Sequence, residues 1–227
     1  IVDTQIPIHE KYGGVVPELA SRAHQQNIIP VVDKALKDAK ITKHDIAAVA
    51  FTRGPGLMGS LLVGVSFAKS FARALNIPLI DVNHLEAHVL AHFIKDTPQQ
   101  KVPEFPFLCL LVSGGNTQIV LLESKRKMQV IGKTIDDAAG EAFDKVARVL
   151  GLRYPGGPHI ERCAADGEAN VPMPKMLKGG GGYNFSYSGL KTAVINYCHT
   201  KDQKKESYSK ADVACSFQRA AVDVLVD

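Results

Sequence analysis

Ile46-Ala47-Ala48-Val49-Ala50-Phe51-Thr52-Arg53-Gly54-Pro55-Gly56-Leu57-Met58-Gly59 decides the fold class of this chain. The compact apolar run 46–51 has the length of a buried strand, the Gly/Pro-rich stretch 53–59 is a turn, and a helix is predicted over 60–75. Residues 79–82 give a short second strand that feeds another helix, so strands and helices alternate as in an α/β sheet. Upstream, Pro17 suits a first helical turn. Leu19, Ala23, Ile28, Val31, Val32, Ala35 and Leu36 then recur at helical spacing up to Ala39, with Pro30 expected to kink the helix. Beyond a connector at 98–106, strands are predicted over 107–112, 117–122 and 128–133. Helices follow over 138–150, 160–166, 189–197 and from Ser209 onward, and the glycine run 179–182 reads as a mobile loop. The expected organisation is α/β in two lobes, residues 1–105 and 106–227. The chain opens at Ile1 without methionine and stops at Asp227 inside a predicted helix, so a fragment of a longer protein is expected.

Composition narrows the classes. The chain has 227 residues, 45% of them hydrophobic, which suffices for a sizeable core. No apolar run approaches the roughly 18–20 residues of a membrane span, so no membrane insertion is expected. Cys109, Cys163, Cys198 and Cys215 are scattered without a Cys-x-x-Cys pair. That argues against a zinc knuckle or a disulfide framework and for a reducing, cytoplasmic compartment. The formal charge of +4 permits a polyanionic partner without requiring one, and the lysines in 201–206 suit a solvated loop.

Several constellations have chemical potential, and each has a plain structural alternative. In Asn83-His84-Leu85-Glu86-Ala87-His88, helical spacing stacks both imidazoles on one face, where they could hold one metal ion; the alternative is accidental spacing on a partly buried helix. Glu86 lies about 200° around the axis from His84. The pattern is therefore not H-E-x-x-H, and a zinc-peptidase reading is disfavoured. His92, a turn further on, is either an opportunistic third ligand or an exposed histidine. In Leu111-Val112-Ser113-Gly114-Gly115-Asn116-Thr117, adjacent glycines between strands let backbone N–H groups converge on an anion, with the Ser113 and Thr117 hydroxyls as further donors. The alternative is a hairpin whose glycines merely supply positive φ. The 53–59 turn ends at a helix N-terminus, which favours anions but is also a common turn. Asp137, Glu141 and Asp144, spaced four and three, read as a carboxylate stripe on a helix. Pairing of Glu141 with Lys145 and Asp144 with Arg148 would offset their repulsion, unless they face ribose hydroxyls. Tyr154-Pro155-Gly156-Gly157-Pro158 is a rigid loop fit for a ligand or for a sharp turn alone. Ser60, Gly64, Ala68 and Ala72 form a small-residue stripe, for internal packing or a partner's helix.

Taken in order, Tyr12-Gly13-Gly14-Val15-Val16-Pro17-Glu18-Leu19-Ala20-Ser21-Arg22, Arg53-Gly54-Pro55-Gly56, the 83–88 histidine stretch, Val112-Ser113-Gly114-Gly115-Asn116-Thr117, Asp136-Asp137-Ala138-Ala139-Gly140-Glu141-Ala142-Phe143-Asp144-Lys145, Tyr154-Pro155-Gly156-Gly157-Pro158 and Phe185-Ser186-Tyr187-Ser188-Gly189-Leu190-Lys191 closely resemble the bacterial TsaD family. The resemblance implies an actin-like, sugar-kinase-like (ASKHA) two-lobed fold, here truncated at both ends. It implies transfer of a threonylcarbamoyl group from threonylcarbamoyl-AMP to the exocyclic amine of the adenosine 3′ of the tRNA anticodon. It also implies a divalent metal, iron or zinc, at His84 and His88. The nucleotide, threonylcarbamoyl-AMP or ATP, is implied at Leu111, Val112, Ser113, Gly114, Gly115, Asp144 and Gly157; no residue is assigned as a base. The implied partners are tRNA, a TsaB-like paralogue and a TsaE-like ATPase, with a homodimer also allowed, and docking is expected on the 60–72 stripe or the 17–39 helix. Family members begin earlier, with a strand and an acidic, threonine-containing phosphate loop. They also continue past Asp227 into a glycine-rich stretch, a nucleotide-binding asparagine and a late aspartate that completes the metal shell. Rival readings are a metal-dependent glycoprotease, a phosphotransferase or ATPase of the same fold, and a non-catalytic partner subunit.

Overall fold

The computed structural model describes residues 1–177 and 182–226, so the glycines predicted as a mobile loop at 179–181 lie outside the described residues. The chain divides into two compact units, Ile1–Val102 and Pro103–Asp227, at a boundary inside the 98–106 stretch.

The first unit contains α1 (Ile6–Glu10), α2 (Pro17–Ala39), β1 (Val49–Gly54), α3 (Met58–Leu75), β2 (Leu79–Asn83) and α4 (His84–Leu90). β1 and β2 pair in parallel, Val49 beside Leu79 and Thr52 beside Val82, with α3 as the crossover. The strand starts at Val49 rather than at Ile46. A capping box, in which the Thr42 N–H and hydroxyl both bind Asp45 Oδ2 at 2.8 Å, folds Lys43–Asp45 into a 3-10 turn and uses up the approach to the strand. α2 runs unbroken through the exposed Pro30. α2 and α3 pack together, and their buried side chains, Ala20, Ala23, Ala68 and Ala72, are all small. Ser21 lies where a side chain on Gly59 would go, so α3 enters directly against α2. The small-residue stripe therefore serves internal packing at Ala68 and Ala72, while a Cβ on Gly64 would meet nothing within 4 Å.

The second unit is an antiparallel sheet in the order β3-β4-β5 (Phe107–Val112, Thr117–Ser124, Lys127–Lys133) followed by four helices. These are α5 (Ala139–Val149), α6 (Gly156–Ala164), α7 (Ser188–Gln203) and α8 (Lys210–Val226). The core is apolar and aromatic: Val146, Leu150, Ile160, Leu190, Val194, Val213 and Phe217 are fully buried, and Phe143 meets Phe217 edge-on at 4.9 Å. α6 begins at Gly156 rather than at Ile160, because Asp144 Oδ1 accepts the Gly156 N–H at 2.7 Å and so supplies the new helix with a partner for its first donor. Among the described residues, no helix is long and apolar enough to cross a membrane.

The predicted carboxylate stripe needs correcting. Asp137 precedes α5, and its oxygens take the ammonium groups of Lys145 and Lys191, each at 2.8 Å. Glu141 and Asp144 remain on the helix, and Glu141 pairs with Lys145 as expected, at 2.7 Å.

Candidate functional site

The histidine pair is built at the carboxyl end of the parallel strands, the usual ligand side of an α/β sheet. β2 ends at Asn83, whose Oδ1 accepts the N–H groups of Leu85 (2.9 Å) and Glu86 (3.2 Å), so α4 starts at His84 itself. One turn later His88 faces it: the two Nε2 atoms are 3.0 Å apart and the ring centroids 4.7 Å. An ion bonded to both nitrogens at about 2.0–2.1 Å spans such a separation. A second contact fixes the nearer ring. His84 Nδ1 lies 3.1 Å from the carbonyl oxygen of Pro55. A carbonyl only accepts, so Nδ1 carries the hydrogen in this contact and Nε2 is the ring nitrogen turned towards His88. The Arg53–Gly56 turn, considered from sequence as an anion site, thus acts here as the anchor of the first histidine. Nothing in the sequence signalled this, because the acceptor is main chain. Glu86 is exposed in the first turn of α4. His92 falls on the 3-10 turn Ala91–Phe93, its Nδ1 3.0 Å from Val89 O, which removes it from the helical face of the other two. No cluster of three or more histidine, cysteine, aspartate or glutamate side chains suited to a metal occurs among the described residues.

The glycine turn belongs to the second unit. It is closed by Ser113: its N–H donates to Asn116 O at 2.8 Å, and its hydroxyl accepts the Asn116 N–H at 3.1 Å. Neither Gly114 nor Gly115 has a positive φ, and a Cβ on either would meet nothing within 4 Å. The plain alternative, glycines supplying a left-handed conformation, therefore does not explain them. Both glycines are exposed, and neither puts a side chain over the turn, as close approach of an anion requires. The expected second hydroxyl donor is a correction. Thr117 is 2% exposed, and its Oγ1 accepts the Ala139 N–H at 2.8 Å, so it faces α5. Val112 is exposed at the edge of the turn, whereas the Leu111 side chain is buried, leaving only its main chain for a ligand.

Asp144 and Gly157 are brought together by the junction of α5 and α6. A Cβ on Gly156 would stand 2.6 Å from Asp144 Cα, so the helices meet backbone to backbone there, while a Cβ on Gly157 would meet nothing within 4 Å. Burial pushes the Asp144 carboxyl above the usual carboxylate range, against the opposing pull of the Gly156 N–H and of Arg148.

A further constellation joins two of the quoted stretches that lie far apart in the chain. Asp136 accepts hydrogen bonds from Ser186 Oγ (2.6 Å), Tyr187 N (2.8 Å), Ser188 N (3.2 Å) and Ser188 Oγ (2.7 Å), which ties the start of α7 to the end of β5. Burial raises its pKa, but these bonds together outweigh that and hold the group below the ordinary carboxylate value.

A family model described as TsaD, tRNA N6-adenosine threonylcarbamoyltransferase, matches residues 1–227. A protein of that name from Phocaeicola vulgatus is 58% identical across 97% of this chain and 66% of its own length. Its namesake from Christiangramia forsetii is 54% identical across 100% of this chain and 67% of its own length. A third, from Porphyromonas gingivalis, is 53% identical, over 96% and 65% respectively. Among solved structures, YeaZ from Pseudomonas aeruginosa is 20% identical, with a TM-score of 0.34 over 47% of this chain and 50% of that one. The chain spans about two thirds of the length of the relatives it matches. The match along all 227 residues shows that the chain belongs to the TsaD family.

Proposed function

We propose that this chain takes part in transferring a threonylcarbamoyl group from threonylcarbamoyl-AMP to the exocyclic amine of the adenosine 3′ of the anticodon in tRNA. The observation that carries the reading is the family match along residues 1–227. The amine nitrogen attacks the carbamoyl carbonyl carbon; a C–N bond forms, the C–O bond of the mixed anhydride breaks, AMP leaves, and the amine releases a proton. An aromatic amine is a poor nucleophile, so the carbonyl must arrive activated and the ligand must be held in register.

The residues present suit those tasks. The paired Nε2 atoms of His84 and His88 fit one divalent ion, iron or zinc. Bound there, it would supply Lewis-acid polarisation of the carbamoyl group. The Pro55 carbonyl holds His84 in the tautomer a metal needs. The exposed turn at Gly114 and Gly115, free of side chains, suits the phosphate, with Ser113 fixing its shape. Asp144, with Gly157 beside it, suits the ribose hydroxyls. An anticodon-loop adenosine fits such a site because its base is already largely unpaired. In the whole protein we place the chain in an actin-like two-lobed architecture in the cytoplasm, working with a TsaB-like paralogue and a TsaE-like ATPase. Docking is proposed on α3 along its small-residue stripe, at Gly64, where a Cβ would meet nothing within 4 Å.

The test supplies full-length protein with threonylcarbamoyl-AMP and unmodified tRNA and measures modified adenosine. His84→Ala and His88→Ala are each expected to lose at least about 100-fold in rate, as for removal of a key electrostatic group. Equal product from wild type and both variants would remove the histidine pair from the reaction.

A further inference from the structure

The glycine turn is shaped from outside, by contacts at both of its ends. At the entry, Ser113 O accepts the Gly140 N–H at 3.2 Å. A Cβ on Gly140 would stand 2.7 Å from both Ser113 O and Gly114 Cα and 2.9 Å from Gly114 N. All three are main-chain atoms, which cannot rotate out of the way. At the exit, the buried Thr117 takes the Ala139 N–H on its Oγ1 at 2.8 Å. Two consecutive residues at the start of α5 therefore grip the two residues that flank Gly114, Gly115 and Asn116.

We infer that Thr117 and Gly140 are positioning residues for the anion turn: one by its hydroxyl acceptor, the other by having no side chain, they set where the Gly114 and Gly115 amides point. The inference rests on the proposed reading of that turn as the phosphate cradle. Converging N–H donors work only within about 2.7–3.2 Å of an oxygen. A methyl group on Gly140 must displace the turn by several tenths of an ångström to reach ordinary contact, and misplacement on the scale of 1 Å can cost about 100-fold. Thr117→Val removes the partner of a buried N–H at constant shape, whereas Thr117→Ser keeps the acceptor.

Full-length protein is titrated with AMP by calorimetry, and KM and kcat are measured with threonylcarbamoyl-AMP and tRNA. Gly140→Ala and Thr117→Val are expected to weaken AMP binding and raise KM by about 10- to 100-fold, with a smaller change in kcat, while Thr117→Ser stays within about threefold of wild type. Gly114→Val, whose side chain enters open space and covers the amides, reports on the cradle itself. If Gly114→Val binds AMP as wild type does, the cradle reading fails. If Gly114→Val loses binding while Gly140→Ala and Thr117→Val keep it, or if Thr117→Ser and Thr117→Val weaken it equally, the positioning roles are overturned and the cradle stands. Should Gly140→Ala not fold, the Thr117 pair decides.

Discussion

Replacing Asp144 by asparagine should separate stability from binding at one side chain. The carboxyl is pushed above its ordinary pKa, chiefly by burial, so ionisation opposes folding. Its contribution to stability is full at acid pH and is lost as pH rises from the ordinary carboxylate value through the raised one. At neutral pH, Asp144→Asn relieves that penalty and keeps an oxygen for the Gly156 N–H, which now sits 2.7 Å from Oδ1. It gives up the charge assistance of that bond, a loss of about 1 kcal/mol, together with the attraction of Arg148. The opposing changes leave net stability within about 1 kcal/mol, or roughly 2–4 °C in Tm for a chain of this size. Asp144→Ala differs in one respect: it strands the N–H of the buried Gly156, which costs a further 1–3 kcal/mol or so. Nucleotide binding should behave otherwise. Loss of a charged acceptor for ribose hydroxyls costs about 1.5–3 kcal/mol, so both variants should weaken AMP by roughly 10- to 150-fold in calorimetry on full-length protein. Asp144→Asn binding AMP with wild-type affinity would refute the ribose assignment. Equal stability of the alanine and asparagine variants would refute the part given to Gly156.

The Asp136 carboxylate gives the opposite pH signature: with its pKa held low, it contributes stability above the ordinary carboxylate value and loses it as pH falls through the lowered one. Asp136→Asn should therefore flatten the fall in urea midpoint between about pH 6 and pH 3 relative to wild type; parallel profiles would contradict the four-bond account. On α3, Gly64→Leu points into open space and should leave Tm within about 2 °C, as for other surface substitutions, while abolishing association with a TsaB-like paralogue in size-exclusion chromatography. Intact association would move the docking face elsewhere. The same change at the buried Ala68 should instead unfold the helix pair, so it cannot serve as that test.

Apolar runs and helical periodicity locate the strands and the longer helices, since elements such as 107–112 and 17–39 carry their pattern locally, but they do not reveal the five-residue α1. They also fail at boundaries decided by distant partners. α6 starts early because Asp144, twelve residues upstream, takes its first N–H, and β1 starts late because Asp45 turns the chain before it. The site divides in the same way. The facing of His84 and His88 is legible because helical spacing fixes it, and the closure of the Ser113 turn because its partners are three residues apart. Asp137 was placed on a helix it only precedes, since its lysines come from Lys145 and from Lys191, far along the chain. Thr117 looked like a ligand donor because pattern alone does not reveal that α5 returns to take its hydroxyl.

The Pro55 contact has a consequence for how this region responds to mutation. The acceptor of the His84 hydrogen is an oxygen of the peptide bond, so no exchange of side chains deletes it. A saturation survey of the region would flag the imidazole and pass over what orients it. Semisynthesis reaches it instead: converting the amide between Pro55 and Gly56 to an ester makes that oxygen a poorer acceptor while every side chain stays in place, and the ring would then be free to present either nitrogen.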